Sequence, residues 1–320
     1  MADIDVLCIA RAATNDELHL MELAKAARVP VWVDYDDNLL DLPEANPAYV
    51  EYIQPSIRQN ILTAVAEADL VTASTDYLAG VLQPARKAGS RPVAVVRNGL
   101  HPNWPKRAVE HNRSAAFLWR GSSSHLSDVI EYGLPIAQGL PESAAFQIMG
   151  WFAWPLANAV LGKIQNLSYT KELPINLYFR ELESSGAVAG VVPLCDNAFN
   201  RSKSNIAQLE SLAAGALAIV PDWPEWQLPG SLRYTDRDSM CEAVAKVLEI
   251  PYNERKDMWE AGIAAALKQS FDAYEQRYQI LASLLTVGVP PMGPPSGPPA
   301  PPRLRLAAPT YGEVAATTLN

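Results

Sequence analysis

Cysteine is scarce in this chain of 320 residues: Cys8, Cys195 and Cys241 lie far apart, with no CxxC pair. That excludes a disulfide framework and describes the reduced thiols of a cytosolic protein. The four histidines, His19, His101, His111 and His125, show no metal-ligand spacing, so no metal site is expected. A basic excess is also missing. The net charge of −9 argues against broad nucleic-acid or anionic-membrane binding, and an anionic ligand needs a local basic pocket. No apolar run approaches the roughly 20 residues of a membrane helix. The N-terminal run, Val6–Ala10, is too short for a signal peptide. No membrane span and a cytoplasmic location are therefore expected. No GxGxxG opens the chain, which argues against an epimerase-like dinucleotide-binding protein.

What is present is a globular composition, 49% apolar and 19% charged, long enough for two domains. Short apolar runs alternate with helical patterns, the signature of a mostly parallel α/β sheet. The first third predicts strands at Val6–Ala10, Val31–Tyr35, Leu70–Ala73 and Val93–Val96. Helices are expected over Asn15–Ala27, Pro47–Glu67 and Thr75–Lys87. Asn98-Gly99, followed by His101-Pro102 and Trp104-Pro105, reads as a linker. A second run predicts strands at Ala116–Trp119, Phe146–Met149, Ile164–Leu167, Ala187–Pro193, Ala216–Val220 and Leu232–Tyr234. Closing helices are expected over Ser239–Leu248 and Glu254–Leu285, the second broken near Gln269.

Eight prolines fall between Pro290 and Pro302. Such a run favours extended polyproline II and reads as a semi-rigid tail, with a docking peptide for an aromatic-lined partner as the alternative. The expected division is thus residues 1–104, 105–286 and a Pro-rich tail, 287–320.

The stretch Phe199–Asp222 is the most informative. A polar loop, Asn200 to Ser204, runs into a helix carrying Ile206, Leu209 and Leu212, which Gly215 stops before an apolar strand. A helix N-terminus presents free N–H groups and the positive end of the dipole, and so favours anions. Lys203 and Ser204 add an ammonium and a hydroxyl there, and Glu210 offers a carboxylate to sugar hydroxyls. The arrangement suits a nucleotide diphosphate. Loop–helix–strand units of this kind are also common scaffolding in α/β proteins, and Glu210 alone reads equally as a solvated helix residue.

Four segments together resemble nucleotide-sugar-dependent glycosyltransferases of the GT-B fold, in particular retaining enzymes of bacterial and phage O-antigen and cell-surface glycans. They are VPVWVDYDDNLLDLP (Val29–Pro43), ADLVTASTDYLAGVL (Ala68–Leu82), VVRNGLHPNWP (Val95–Pro105), and LWRGSSSHLSDV (Leu118–Val129) taken with NRSKSNIAQLESLAAGALAIVPD (Asn200–Asp222). The resemblance implies two Rossmann-like domains facing a cleft. The donor nucleotide sugar, of unknown base, would lie mainly on the C-terminal domain without an essential metal. Arg120 and Lys203 are the implied cations for the diphosphate, Gly121 and Ser122 its backbone donors, Ser204 a hydroxyl donor and Glu210 the ribose ligand. Before the resemblance, Arg120 reads equally as half of a surface salt bridge.

His125 stands near a basic phosphate-binding position of relatives; a helix N-terminus would lower its proton affinity and make it a neutral hydrogen-bonder. The family motif has two glutamates; Ser202 occupies the place of the first, which removes a carboxylate the resemblance implies near the donor sugar. Asp36 and Asp37, with Asp34, cluster at a strand end, where a carboxylate orients an acceptor hydroxyl or acts as base. Asp37 equally suits a cap of the following turn. Ser74 and Thr75 are expected to line the same cleft, unless Thr75 caps its helix.

The resemblance also implies a shortened N-terminal domain, whose open sheet edge, like the Pro-rich tail, would suit a protein partner. The implied activity is sugar transfer to a glycan, lipid, protein or nucleic-acid hydroxyl. The alternative is a GT-B-like binding or structural module in a larger assembly such as a phage particle; a phage-encoded chain would work in the host cytoplasm or virion. Lys203→Ala and Glu210→Gln are each expected to weaken the response to nucleotide while leaving the ligand-free melting temperature nearly unchanged.

Overall fold

Apolar residues at alternate or successive positions build two parallel sheets, each with its own core. The computed structural model describes residues 4–100, 110–150, 154–270, 280 and 305–306. In the first sheet, β1 (Leu7–Ala10), β2 (Val31–Tyr35), β3 (Leu70–Ala73) and β4 (Ala94–Val95) lie side by side in chain order. Val31, Val33 and Tyr35 point into the core on alternate residues of β2. Between the strands run α1 (Asn15–Ala26), α2 (Tyr49–Tyr52), α3 (Pro55–Glu67) and α4 (Asp76–Leu82). A capping box starts α1: Glu17 N–H donates to the Thr14 hydroxyl, and the Glu17 carboxylate accepts from Thr14 N–H.

Two expected helices are shorter than the pattern implied, and proline is the reason. Pro55 has no N–H to continue a helix from Tyr52, so it opens α3 at its N1 position instead. After Leu82 the chain tightens into a 3₁₀ turn, Gln83–Ala85, around Pro84.

The second sheet contains β5 (Ala116–Arg120), β6 (Ala145–Met149), β7 (Asn166–Thr170), β8 (Ala189–Val191), β9 (Leu217–Pro221) and β10 (Ser231–Tyr234), in the order β10-β9-β8-β5-β6-β7. The helices are α5 (Leu126–Gly139), α6 (Trp154–Leu161), α7 (Ile175–Ser184), α8 (Ala198–Arg201), α9 (Ile206–Ala213), α10 (Arg237–Glu249) and α11 (Tyr252–Leu267). This is a doubly wound sheet, and the strand order reverses between β5 and β8. A crevice opens there at the carboxyl ends of the strands. Phe117, Phe146, Ile148 and Leu212 are almost wholly buried in its core; burying each such side chain stabilises by about 1.5–3 kcal/mol.

The strand expected at Ile164–Leu167 lies two residues later, at Asn166–Thr170. Ile164 is buried, but its N–H donates to Leu161 O, so it closes the turn after α6 rather than entering the sheet. The last long helix ends at Leu267, and Gln269 O then accepts from Leu100 N–H. Most of the predicted continuation to Leu285 lies outside the described residues, as do the prolines from Pro290 to Pro302. Ile280 is helical and packs against the small cluster of Val6 and Leu70.

Arg305–Leu306 (β11) pairs in parallel with Leu7 and Cys8. The sheet edge expected to stand open for a protein partner is therefore partly taken by the chain itself, because unpaired backbone groups on an edge strand accept any compatible segment.

Glu67, closing α3, is held between Lys25 and Lys87. Hydrogen bonds first from Lys25 and then from Lys87 lower its pKa from 4.5 to about 2. A carboxylate depressed in the folded state stabilises above its unfolded value and loses that contribution as pH falls. The melting temperature of Glu67→Gln is expected to fall less than wild type between pH 4.5 and 2. The effect is small, since the side chain is 38% exposed.

Candidate active site

The turn after β5 places Arg120, Gly121 and Ser122 at the crevice. It passes so close to the turn after β6 that a Cβ on Gly150 would sit 1.8 Å from Gly121 O, and Gly150 has φ +121°. Both features require glycine. Gly150→Ala is expected to destabilise by about 1–3 kcal/mol or more in urea unfolding, since backbone and not a flexible side chain must move. Gly121 N–H donates to Met149 O at 2.9 Å. It is therefore spent on the fold, and Gly121 does not provide the backbone donor expected of it; Ser122 remains the candidate.

Arg120 Nη2 lies 2.7 Å from Glu210 Oε2, and the Tyr178 hydroxyl donates to the same oxygen at 2.7 Å. The pair is largely enclosed, with side chains 27% and 12% exposed. Burial works against the Arg120 charge, and Glu210 and Tyr178 together more than offset it, so the guanidinium pKa is raised. Arg120 Nε is buried without a hydrogen-bond partner, so the ion pair to Glu210 runs through Nη2.

Lys203 Nζ crosses the cleft to Asp37 Oδ1 at 3.3 Å and sits 4.3 Å above the Phe199 ring. Arg11 hydrogen-bonds Asp36 and approaches Asp37 at 3.6 Å. Further contacts join the two halves beneath the cleft. Asn98 donates to the Ser204 hydroxyl at 2.8 Å, and Thr75 donates to Ser202 O at 2.9 Å. Arg97 links Asp76 to Glu225.

Several sequence expectations change here. Asn38, not Asp37, caps the following turn, accepting from Leu40 N–H at 3.2 Å. Asp34 accepts from the Thr72 hydroxyl within the sheet. Ser74 braces the cleft loop from behind by donating to Asp36 O at 3.0 Å. Thr75 both caps α4 and bridges to Ser202. Asn200 and Arg201 belong to α8 instead of a loop, because Asn197 caps a short turn of helix there. Ser202 is fully buried and donates to Ala198 O at 2.7 Å, so its hydroxyl is turned away from the cleft.

His125 stands at the N-cap of α5, with Nδ1 2.8 Å from Asp128 Oδ2. Its proton affinity is lowered, first by burial; the Asp128 hydrogen bond opposes this, and Lys203 adds to it. The direction is the one expected, but burial is its main cause.

Two adjoining cavities, of about 430 and 170 Å³, share Asp37, Arg120, His125 and Lys203. Gly121, Ser122 and Glu210 line the larger, and Asp36 and Ser204 the smaller, so all nine candidate residues meet at one cleft. Lys171, Glu172 and Tyr178 also line it and were missed. The first two follow β7, whose misplacement hid the loop. Tyr178 lies on α7, signalled by Ile175, Tyr178, Phe179 and Leu182 at helical spacing. Among the described residues, no cluster of three or more His, Cys, Asp or Glu is arranged to hold a metal ion, and no helix is long and apolar enough to cross a membrane.

The sequence matches no protein-family model and no curated protein. The fold does match solved structures. An α,α-trehalose-phosphate synthase (UDP-forming) from Burkholderia vietnamiensis superposes with a TM-score of 0.63 at 13% identity, over 90% of this chain and 75% of that one. HepE from Anabaena, solved with UDP and glucose, gives 0.63 at 12% identity over 86% and 78%. WaaG, a glycosyltransferase involved in lipopolysaccharide biosynthesis, gives 0.59 at 14% identity over 86% and 83%. These neighbours are GT-B glycosyltransferases, and the chain has the GT-B fold.

Proposed function

We propose that the chain is a glycosyltransferase that moves a sugar from a nucleotide-sugar donor to a hydroxyl acceptor. One observation carries the reading. Arg120 at the end of β5, Lys203 and Ser204 before α9, and Glu210 on α9 face Asp36 and Asp37, which follow β2, across a single cleft. Arg120 and Lys203 hold the diphosphate. The departing diphosphate gains negative charge in the transition state, and fixed cations there lower the barrier. The start of α9, with Ser204 just before it, adds N–H dipoles. Glu210, still bound to Arg120 through one oxygen, takes a ribose hydroxyl on the other. Asp37 lines both cavities and orients the acceptor hydroxyl. The neighbour solved with UDP and glucose supports a nucleotide sugar of this type.

A second reading, a GT-B-like binding module without turnover, is favoured by Ser202, which offers a donor sugar no carboxylate. The test for the shared claim is a thermal-shift panel of UDP-, GDP-, ADP- and dTDP-sugars. A ligand at a hundred times its Kd is expected to stabilise by about 2.7 kcal/mol. No response to any of the four would overturn the donor site. Release of labelled sugar from the responding donor then separates enzyme from binding module.

A further inference from the structure

Two turns at the cleft converge on one carboxylate that the chemistry above does not use. Asp128, in the first turn of α5, is fully buried. Its Oδ1 accepts from Cys195 N–H and from Asn200 Nδ2, each at 2.8 Å, and its Oδ2 faces His125 Nδ1 at 2.8 Å. None of these partners is a permanent cation. A carboxylate accepts only, so the neutral His125 ring must carry its proton on Nδ1, and Nε2 is left bare. The ring is fixed edge-on against Trp119, at 6.4 Å and 89°, and lines both cavities beside Arg120 and Lys203. A bare Nε2 presents a lone pair, which repels a phosphate oxygen.

Resting on the reading that the cleft holds a diphosphate, we propose that Asp128 is a positioning residue. It fixes the His125 proton on Nδ1, so that a bound diphosphate draws a proton from solvent onto Nε2 and His125 becomes a third cation beside the phosphates. The neutral imidazole gains one proton and one positive charge, and no other bond changes. In the empty cleft, burial keeps His125 neutral; Lys203 and Arg120 add to this, and Asp128 opposes it. A diphosphate cancels the two cations and adds negative charge. Of the other charges along the walls, Asp37 and Glu210 are already engaged with Lys203 and Arg120, and Asp36 with Arg11. Lys171 and Glu172, adjacent on the far wall, carry opposite signs. Binding therefore takes up a proton and weakens as pH rises.

The test is imidazole ¹⁵N NMR on the full chain, whose four histidines are few enough for His125→Gln to assign the signal. Ligand-free His125 is expected to be neutral with Nε2 bare. Saturating inorganic pyrophosphate is expected to raise its apparent pKa by about one pH unit or more. In Asp128→Asn both tautomers appear and the rise shrinks. If that variant does not fold, the wild-type tautomer and titration still decide. A bare Nδ1, or a His125 unmoved while pyrophosphate raises the melting temperature, overturns this proposal alone. Pyrophosphate that moves neither overturns the diphosphate reading with it.

Discussion

Arg120→Met is expected to abolish the nucleotide response and to destabilise the ligand-free protein by about 3 kcal/mol. The first effect follows, on the proposed function, from removing the guanidinium that pairs with Glu210 in the cleft. The second follows from what is left behind. Glu210 is 12% exposed and would keep only the Tyr178 hydroxyl as partner. Breaking a buried pair by deleting one member costs roughly 3–5 kcal/mol, and the partial exposure of Arg120 favours the lower end. The double variant Arg120→Met with Glu210→Gln removes the stranded charge, so it should regain most of the stability and none of the binding. Urea unfolding measures the first quantity and thermal shift with the responding donor the second. A single variant as stable as wild type would show that the pair does not form in solution. By the same geometry, Glu210→Gln also lowers the ligand-free melting temperature. The sequence alone led to an unchanged melting point for this variant; the Arg120 contact is the reason a drop is expected instead.

Lys203→Ala is expected to behave differently, losing turnover by about 10²–10³-fold while stability changes by about 1 kcal/mol or less. Its partner Asp37 lies at 3.3 Å, 26% exposed, and has Arg11 at 3.6 Å as a second cation. No buried charge is stranded when the ammonium goes. The two variants thus separate a cation built into the fold from one reserved for the ligand. Comparing kcat/KM with the donor against the melting temperature checks this. Turnover within a few-fold of wild type would remove Lys203 from the diphosphate site.

The strands were largely legible because their side chains alternate or run apolar without interruption. Val31–Tyr35 and Leu70–Ala73 appear with the expected limits. Ile164 misled because a buried residue closing a helix has the same composition as a strand entry, and that displacement hid Lys171 and Glu172. Lys203, Ser204 and Glu210 could be named from one loop and its helix, and Asp36 and Asp37 from a strand end, where α/β folds collect ligands, whereas Arg120, Gly121, Ser122 and His125 came from the GT-B resemblance. How their hydrogen bonds are spent could not be read. Gly121 N–H goes to Met149 O and the Ser202 hydroxyl to Ala198 O, and neither choice has any local sequence signature.

For Phe199–Asp222, the sequence alone determined a polar entry, a helix stopped by Gly215 and a buried strand, because those depend on local spacing and on one backbone conformation, φ +86° at the glycine. Only the tertiary structure decided that Glu210 meets Arg120, ninety positions earlier in the chain, and that Lys203 meets Asp37 of the other sheet. Asp128, behind the cleft's His125, was joined to Cys195 and Asn200 in the same way. Charges far apart in sequence acquire partners only when strand order and domain packing bring their turns together, and no periodicity in the chain encodes that distance.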